Sequence, residues 1–213
     1  MATATQWVEN KLKDTEHVNV LGRTAENLLV VEGMEGYKFN VAVIGIKGVV
    51  KREDVLPLFG TGNRPSFVVN VPSKVLWSGA AIDVIHAEGA AFGTFGDIER
   101  ASRTMDAGSF RNKNMVFFIN GIQQHSNVRS ISYVYDWVFR VDRLNGSSVI
   151  VAVIDAYNMS AEDVRNAKAL IGNFDAVVKS TSYGSITEQA ELAAGTMGAK
   201  ALLYRELLVW LAK

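Results

Sequence analysis

The sequence predicts an α/β protein built as two tandem domains on one plan, each a mixed central sheet flanked by helices. Three observations carry that expectation. The tetrapeptide VAVI occurs at 41–44 and again at 151–154. The halves on either side of it stay in register. Within each half, short apolar runs alternate with stretches of helical spacing.

The register is a shift of 110 that becomes 109 past the central strand. Under the first shift Asn10 meets Asn120, Val18 meets Val128, Val31 meets Val141 and Gly36 meets Gly146. Under the second, Glu53-Asp54-Val55 falls on Glu162-Asp163-Val164, Val68-Val69 on Val177-Val178, Ser73 on Ser182, Ala81 on Ala190 and Gly89 on Gly198. Each half can therefore be read with its partner as a check.

Each opens with an amphipathic helix, marked by Trp7, Val8 and Leu12 in one copy and by Phe117, Phe118, Ile119 and Ile122 in the other. Two strands follow, VNVLG and ENLLVVEG, matched by VRSIS and DWVFRVD. EGYK and LNGS supply turns in which Gly36 and Gly146 take positive φ. The VAVI strand comes next, apolar on both faces as a buried strand is. REDVLPLF and AEDVRNAKALI read as helices, the second with Ser160 as N-cap and Asp163 three residues on. SFVVNV or AVVKST is a further strand leading to a Ser/Gly-rich loop. The helices SGAAIDVIHAEG and SITEQAELAAGTMG end at Gly89 and Gly198, and Ser185 with Glu188 has capping-box spacing. A short strand (AAFGTF, AKALLY) and a last helix (DIERAS, RELLVWLAK) close each half. The polar stretch around 104–112 separates domains expected at 1–104 and 112–213.

Composition bounds what such a chain does. Lys plus Arg and Asp plus Glu both number 22 in 213 residues, so no overall basic field draws it to nucleic acid or anionic lipid. Residues 1–105 hold 11 basic and 12 acidic groups, which leaves 22 − 11 = 11 and 22 − 12 = 10 for the rest. Contact with nucleic acid therefore depends on a local patch. The absence of cysteine excludes disulfides, thiolate metal sites and cysteine nucleophiles, and fits a reducing compartment. The start has no apolar core of signal-peptide length, and no apolar run is long enough to span a bilayer. A cytoplasmic protein is expected, with no membrane partner and with a protein partner or homo-oligomer left open.

Helix, hairpin, apolar central strand, then helix–strand–helix resembles the restriction-endonuclease-like, PD-(D/E)xK, nuclease fold. The tail FDAVVKSTSYGSITEQAELAAGTMGAKALLYRELLVWL looks like the end of such domains in type IV restriction enzymes, and PSFVVNVPSKVLWSGAAIDVIHAEGAAFGTFGDIERA less closely so. The resemblance covers nearly the whole chain, twice, and implies an intramolecular pseudo-dimer. It also implies an acid at the start of the second strand and a (D/E)xK set on the central strand, together holding Mg2+ that activates water and neutralises phosphate charge. The first acid falls on Glu26 and Asp136. The (D/E)xK set falls on Gly45-Ile46-Lys47 and on Asp155-Ala156-Tyr157.

The first copy thus keeps an acid and Lys47 but has glycine where the metal-binding acid belongs. The second keeps Asp136 and Asp155 but has Tyr157 in place of the lysine. The implied metal pair is Asp136 with Asp155; the plain alternative is two aspartates at a strand edge and a turn. Glu26 with Lys47 reads as an ordinary surface pair, and Glu9 as a further ligand or a solvated helix face. His17, His86 and His125 are scattered and match no zinc spacing. GTGN at 60–63 lacks the rest of a phosphate loop and reads as a turn, and SYGS at 182–185 as a helix cap. Lys179 reads as a solvated lysine or a phosphate contact, and Trp210 with Leu207, Leu208 and Leu211 as core or an interface stripe. Two expectations follow: a Mg2+-dependent nuclease or nucleic-acid-processing relative with one live site in the second copy, or an inactive scaffold or binding protein that keeps the fold. No motif favours a small-molecule enzyme.

Overall fold

A computed structural model of the chain describes residues 3–60, 62–181 and 183–213. The chain divides into two compact units, Met1–Asn112 and Lys113–Lys213, each with its own sheet.

In the first unit Thr3 caps α1 (Ala4–Lys13) by accepting from Gln6 N at 3.2 Å, one of the amides a helix start leaves without a partner. The chain then runs β1 (Asn19–Arg23), β2 (Leu29–Glu32), β3 (Lys38–Ile44), α2 (Arg52–Val55), β4 (Phe67–Asn70), α3 (Gly79–Ala87), β5 (Ala91–Gly93) and α4 (Phe95–Ser102). The helix expected over REDVLPLF breaks into the four-residue α2 and a 3-10 turn, Leu56–Phe59. Pro57 has no N–H to give and its ring crowds the preceding turn. Alternate strand residues divide between two faces. Val41, Phe67 and Val69 meet Val8 and Leu12 of α1 and Ile98 of α4 on one side. Ala42 and Val68 point the other way and are also fully buried or nearly so. The segment after α4 belongs to this unit, since Ala107 and Phe110 lie in its core and Ala107 N donates to Tyr37 Oη at 2.8 Å.

The second unit repeats the order: α5 (Lys113–Gln123), β6 (Val128–Tyr135), β7 (Val138–Arg143), β8 (Val149–Ile154), α6 (Ala161–Ile171), β9 (Ala176–Lys179), α7 (Glu188–Thr196), β10 (Lys200–Leu202) and α8 (Tyr204–Leu211). Ser160 caps α6 as its spacing predicts, and Asp163 Oδ2 accepts from Ser160 N at 2.8 Å. The cap expected at Ser185 is two residues late: Thr187 caps α7. Ser185 is drawn elsewhere, its N and Oγ both donating to Asn158 Oδ1 at 2.9 and 3.2 Å. Phe118, Ile122, Leu207 and Leu211 pack on Phe139, Val151 and Val178 on one face, and Val164, Ala190 and Ala194 pack on Val138, Ala152 and Val177 on the other. Each large apolar side chain so buried contributes about 1.5–3 kcal/mol.

Both sheets have their five strands in chain order, the first three antiparallel and the rest parallel. The registers correspond pair by pair. Val31↔Phe39 answers Val141↔Val149, Val41↔Phe67 answers Val151↔Ala176, and Phe67↔Ala91 answers Ala176↔Lys200. Beyond the strands, the single bridge Val50↔Trp77 answers Met159↔Ile186. Among the described residues no helix is long and apolar enough to cross a membrane.

Candidate functional site

Open α/β sheets tend to bind ligands outside the carboxyl ends of their parallel strands. In the second unit that end is built from β8, β9 and the β6–β7 turn. Asp136 is half-buried in the two-residue turn Asp136–Trp137. Trp137 O accepts from Val153 N at 2.8 Å, which fixes the turn against the end of β8. Asp136 thus stands one residue before that bond and Asp155 two residues after it. The sheet register places both aspartates at one end of one sheet.

Asp155 is exposed, and its Oδ1 accepts from Ser180 Oγ at 2.8 Å. Ser180 is itself set by its backbone, Ser180 N donating to Ile154 O at 3.0 Å. Beside it, Lys179 pairs with Ile154 across the parallel ladder. Lys179 is not solvated: it is 1% exposed. Its Nζ donates to Thr181 O at 2.9 Å, to Thr181 Oγ1 at 2.6 Å and to Tyr183 O. An ammonium has three donors and no acceptor, and here neutral oxygens of the following loop take all three. The lysine fastens that loop from beneath.

Tyr157, which the internal repeat sets against Lys47 of the first unit, is 72% exposed, and its backbone lies against the same loop. A Cβ built on Gly184 would stand 1.9 Å from Tyr157 O, so only glycine lets the two loops touch there. The described residues of SYGS do not cap a helix, since Thr187 caps α7. Ser182 lies outside the described residues, and the rest of the stretch joins the two loops through Asn158, Ser185 and Met159.

The matching end of the first unit is spent on structure. Glu26 sits in the β1–β2 turn, where Asn63 N and Nδ2 donate to its carboxylate at 3.2 and 3.0 Å. These bonds from Asn63, then one from Thr24, hold the Glu26 carboxyl down at about 2. Of GTGN, Asn63 docks onto Glu26 and Gly62 has φ +98°, while Thr61 lies outside the described residues. Lys47 is exposed and forms no ion pair with Glu26 among the described residues, so the surface pair expected of them is absent. Gly45 offers no ligand. Where the second unit has Lys179, the first has Asn70, 3% exposed. Asn70 accepts from Ile46 N at 2.9 Å and donates to Ile46 O and Pro72 O, each at 3.0 Å. Glu9 is no free ligand either. Lys13 Nζ and Arg23 Nε bond it at 2.8 and 3.0 Å, and those bonds, Lys13's first, lower its pKa.

The histidines stay apart in role. His17 lies 3.9 Å from Glu99, His125 Nδ1 accepts from Asn127 N, and the His86 ring is tilted against Phe92 with centroids 5.8 Å apart. Burial first, then the Arg111 charge, push His86 down to about 4. Leu207 and Leu211 are core, with Leu208 and Trp210 packed at its margin. No cluster of three or more His, Asp or Glu able to hold a metal occurs among the described residues. A metal in the second unit would therefore take two carboxylates at most from the protein. That set still suits Mg2+, a hard cation that keeps several waters and is commonly held by one or two carboxylates plus substrate phosphate.

Ser180 and the buried state of Lys179 escaped the sequence reading. A lysine closing an otherwise apolar strand, AVVK, was the available signal. Comparison with known proteins finds no matching family model, no similar curated protein and no similar solved structure.

Proposed function

We propose that the chain is a duplicated restriction-endonuclease-like protein whose second unit carries a single Mg2+-dependent site for cleaving or processing nucleic acid. The observation that carries this reading is the register placing Asp136 and Asp155 at one end of paired strands. The matched order and registers of the two units support a common ancestral sheet.

In this reading Asp136 and Asp155 hold the cation, which when bound supplies charge neutralisation at phosphate and a more acidic water. Ser180 orients Asp155 through its hydroxyl. Lys179 keeps the loop after β9 in place, and the exposed Tyr157 phenol offers a hydrogen-bond donor where the family's lysine offers a charge. The first unit, with Gly45 and a committed Glu26, serves as a partner without chemistry.

A second reading, an inactive binding protein on the same fold, is favoured by the tyrosine at 157 and by the lack of a third acidic ligand among the described residues. Calorimetric titration with Mg2+ and Mn2+, with and without DNA, separates the two. The nuclease reading expects binding that Asp155→Asn and Asp136→Asn each weaken by more than the ~10–100-fold that loss of an outer-shell partner costs. No binding by the wild type under either condition ends that reading and leaves the binding protein.

A further inference from the structure

The second unit carries a groove away from its two aspartates. It is an open cleft of about 400 Å³ along the edge strand β10 and the helix α8, lined among others by Lys200, Arg205, Glu206, Val209, Trp210 and Lys213. Its side chains lean basic in a chain with no net charge, with Lys200, Arg205 and Lys213 against Glu206. Lys200 and Arg205 are exposed, and neither makes an ion pair among the described residues. Two neighbouring cations of the unit are occupied: Arg140 bonds Asp142 at 2.9 Å and Arg143 donates to Ser147 O at 2.8 Å. Lys113, Arg129 and Arg165 are exposed like the groove pair, but they do not line the groove. The one acid of the groove is also taken, since Glu206 Oε2 accepts from Leu203 N at 2.7 Å and caps α8.

Trp210 supplies the apolar wall. Its ring is packed at the core margin, and the Arg143 guanidinium stands 5.9 Å from its centroid. A cation against an indole ring stiffens its placement. Val209 beside it is 64% exposed. A lysine on an edge strand guards against strand pairing, and that would explain Lys200. It does not explain an unpaired arginine and a held indole on the adjoining helix.

We propose that this groove is a track for single-stranded nucleic acid, with Lys200 and Arg205 on successive phosphates and an unpaired base against Trp210. Unpaired cations beside an aromatic ring are what a strand with exposed bases needs; a duplex hides those faces. The cleft is open rather than enclosed, which suits an extended strand better than a buried mononucleotide. The choice of ligand rests on the nucleic-acid reading above, but the binding needs no metal.

The test is fluorescence anisotropy with fluorescein-labelled oligothymidylate, run in EDTA across a salt series. Wild-type protein is expected to bind, with log K falling as log salt rises. Lys200→Ala with Arg205→Ala should reduce that slope by about 1.4, at roughly 0.7 per lost phosphate contact on a single strand. Lys200→Glu with Arg205→Glu should cost at least about tenfold in affinity, and an abasic strand should bind more weakly than oligothymidylate. The proposal is overturned if wild type does not bind, or if Arg165→Glu on α6 weakens binding as much as the groove variants. Equal binding of the abasic strand, or equal competition by thymidylate monomer or polyglutamate, would overturn it too. Because EDTA removes metal, failure here leaves the cation titration standing, and failure of that titration leaves this result standing.

Discussion

Replacing Asn70 by alanine should destabilise the first unit by about 2–3 kcal/mol. The side chain is 3% exposed and makes three hydrogen bonds, two to Ile46 and one to Pro72. Each such bond is worth about 1 kcal/mol net, and more where its partner is left buried without a substitute. Pro72 is exposed, so water can replace one of the three. Asn70→Asp gives a sharper result. It keeps the acceptor for Ile46 N but turns a carboxylate oxygen toward two carbonyls where the amide donated. Only the protonated acid restores a donor, so the folded state raises this group's pKa above its unfolded value of about 3.9. A raised folded pKa contributes stability that is present below the unfolded value and lost as pH rises through the folded one. The aspartate variant should therefore be nearest wild type below about pH 4 and fall behind as pH rises. Urea denaturation followed by circular dichroism measures the loss, and amide exchange at Ile46 reports it locally. Unchanged Ile46 protection in Asn70→Ala, or a deficit in Asn70→Asp that grows toward acid, would refute the reasoning.

Other outcomes follow from the same geometry. Glu26 should stay ionised to about pH 2; its depressed pKa contributes stability present above its unfolded value and lost as pH falls through the folded one. Asn63→Ala should raise that pKa in a carboxyl NMR titration, and an unmoved titration would show that Asn63 is not the cause. Gly184→Ala should cost at least ~1–3 kcal/mol and expose the Met159 and Thr187 amides to exchange. Gly172→Ala serves as the control, having a similar φ of +80° with open space around it. Equal effects of the two would remove the loop contact as the reason. Ser180→Ala should weaken Mn2+ binding roughly tenfold with unchanged circular dichroism, as loss of a group orienting a ligand does; undiminished affinity would show that Asp155 needs no such support.

The order of elements was legible because the chain offers two readings of one plan. Val41–Ile44 and Val151–Ile154 mark the central strands, and Gly36 and Gly146 take the positive φ their turns need, +78° and +98°. Local signals failed where a distant partner overrode them. Ser185 has the spacing of a cap but serves Asn158, 27 residues away. Glu26 is claimed by Asn63, 37 residues away. Neither pairing leaves a trace in periodicity or propensity. Burial of Lys179 was equally hidden, because a lysine ending a strand reads as solvated until the loop that covers it is placed. At the groove of β10 and α8, Trp210 was visible as part of an apolar stripe, while Lys200 and Arg205 gained meaning only from lying beside it.

The most direct measurement is a crystal grown with Mn2+ and read by anomalous scattering. The account predicts a peak held by the Asp136 and Asp155 carboxylates in the second unit, with none at the Gly45 end of the first. A manganese-bearing crystal with no peak between those two aspartates would contradict it.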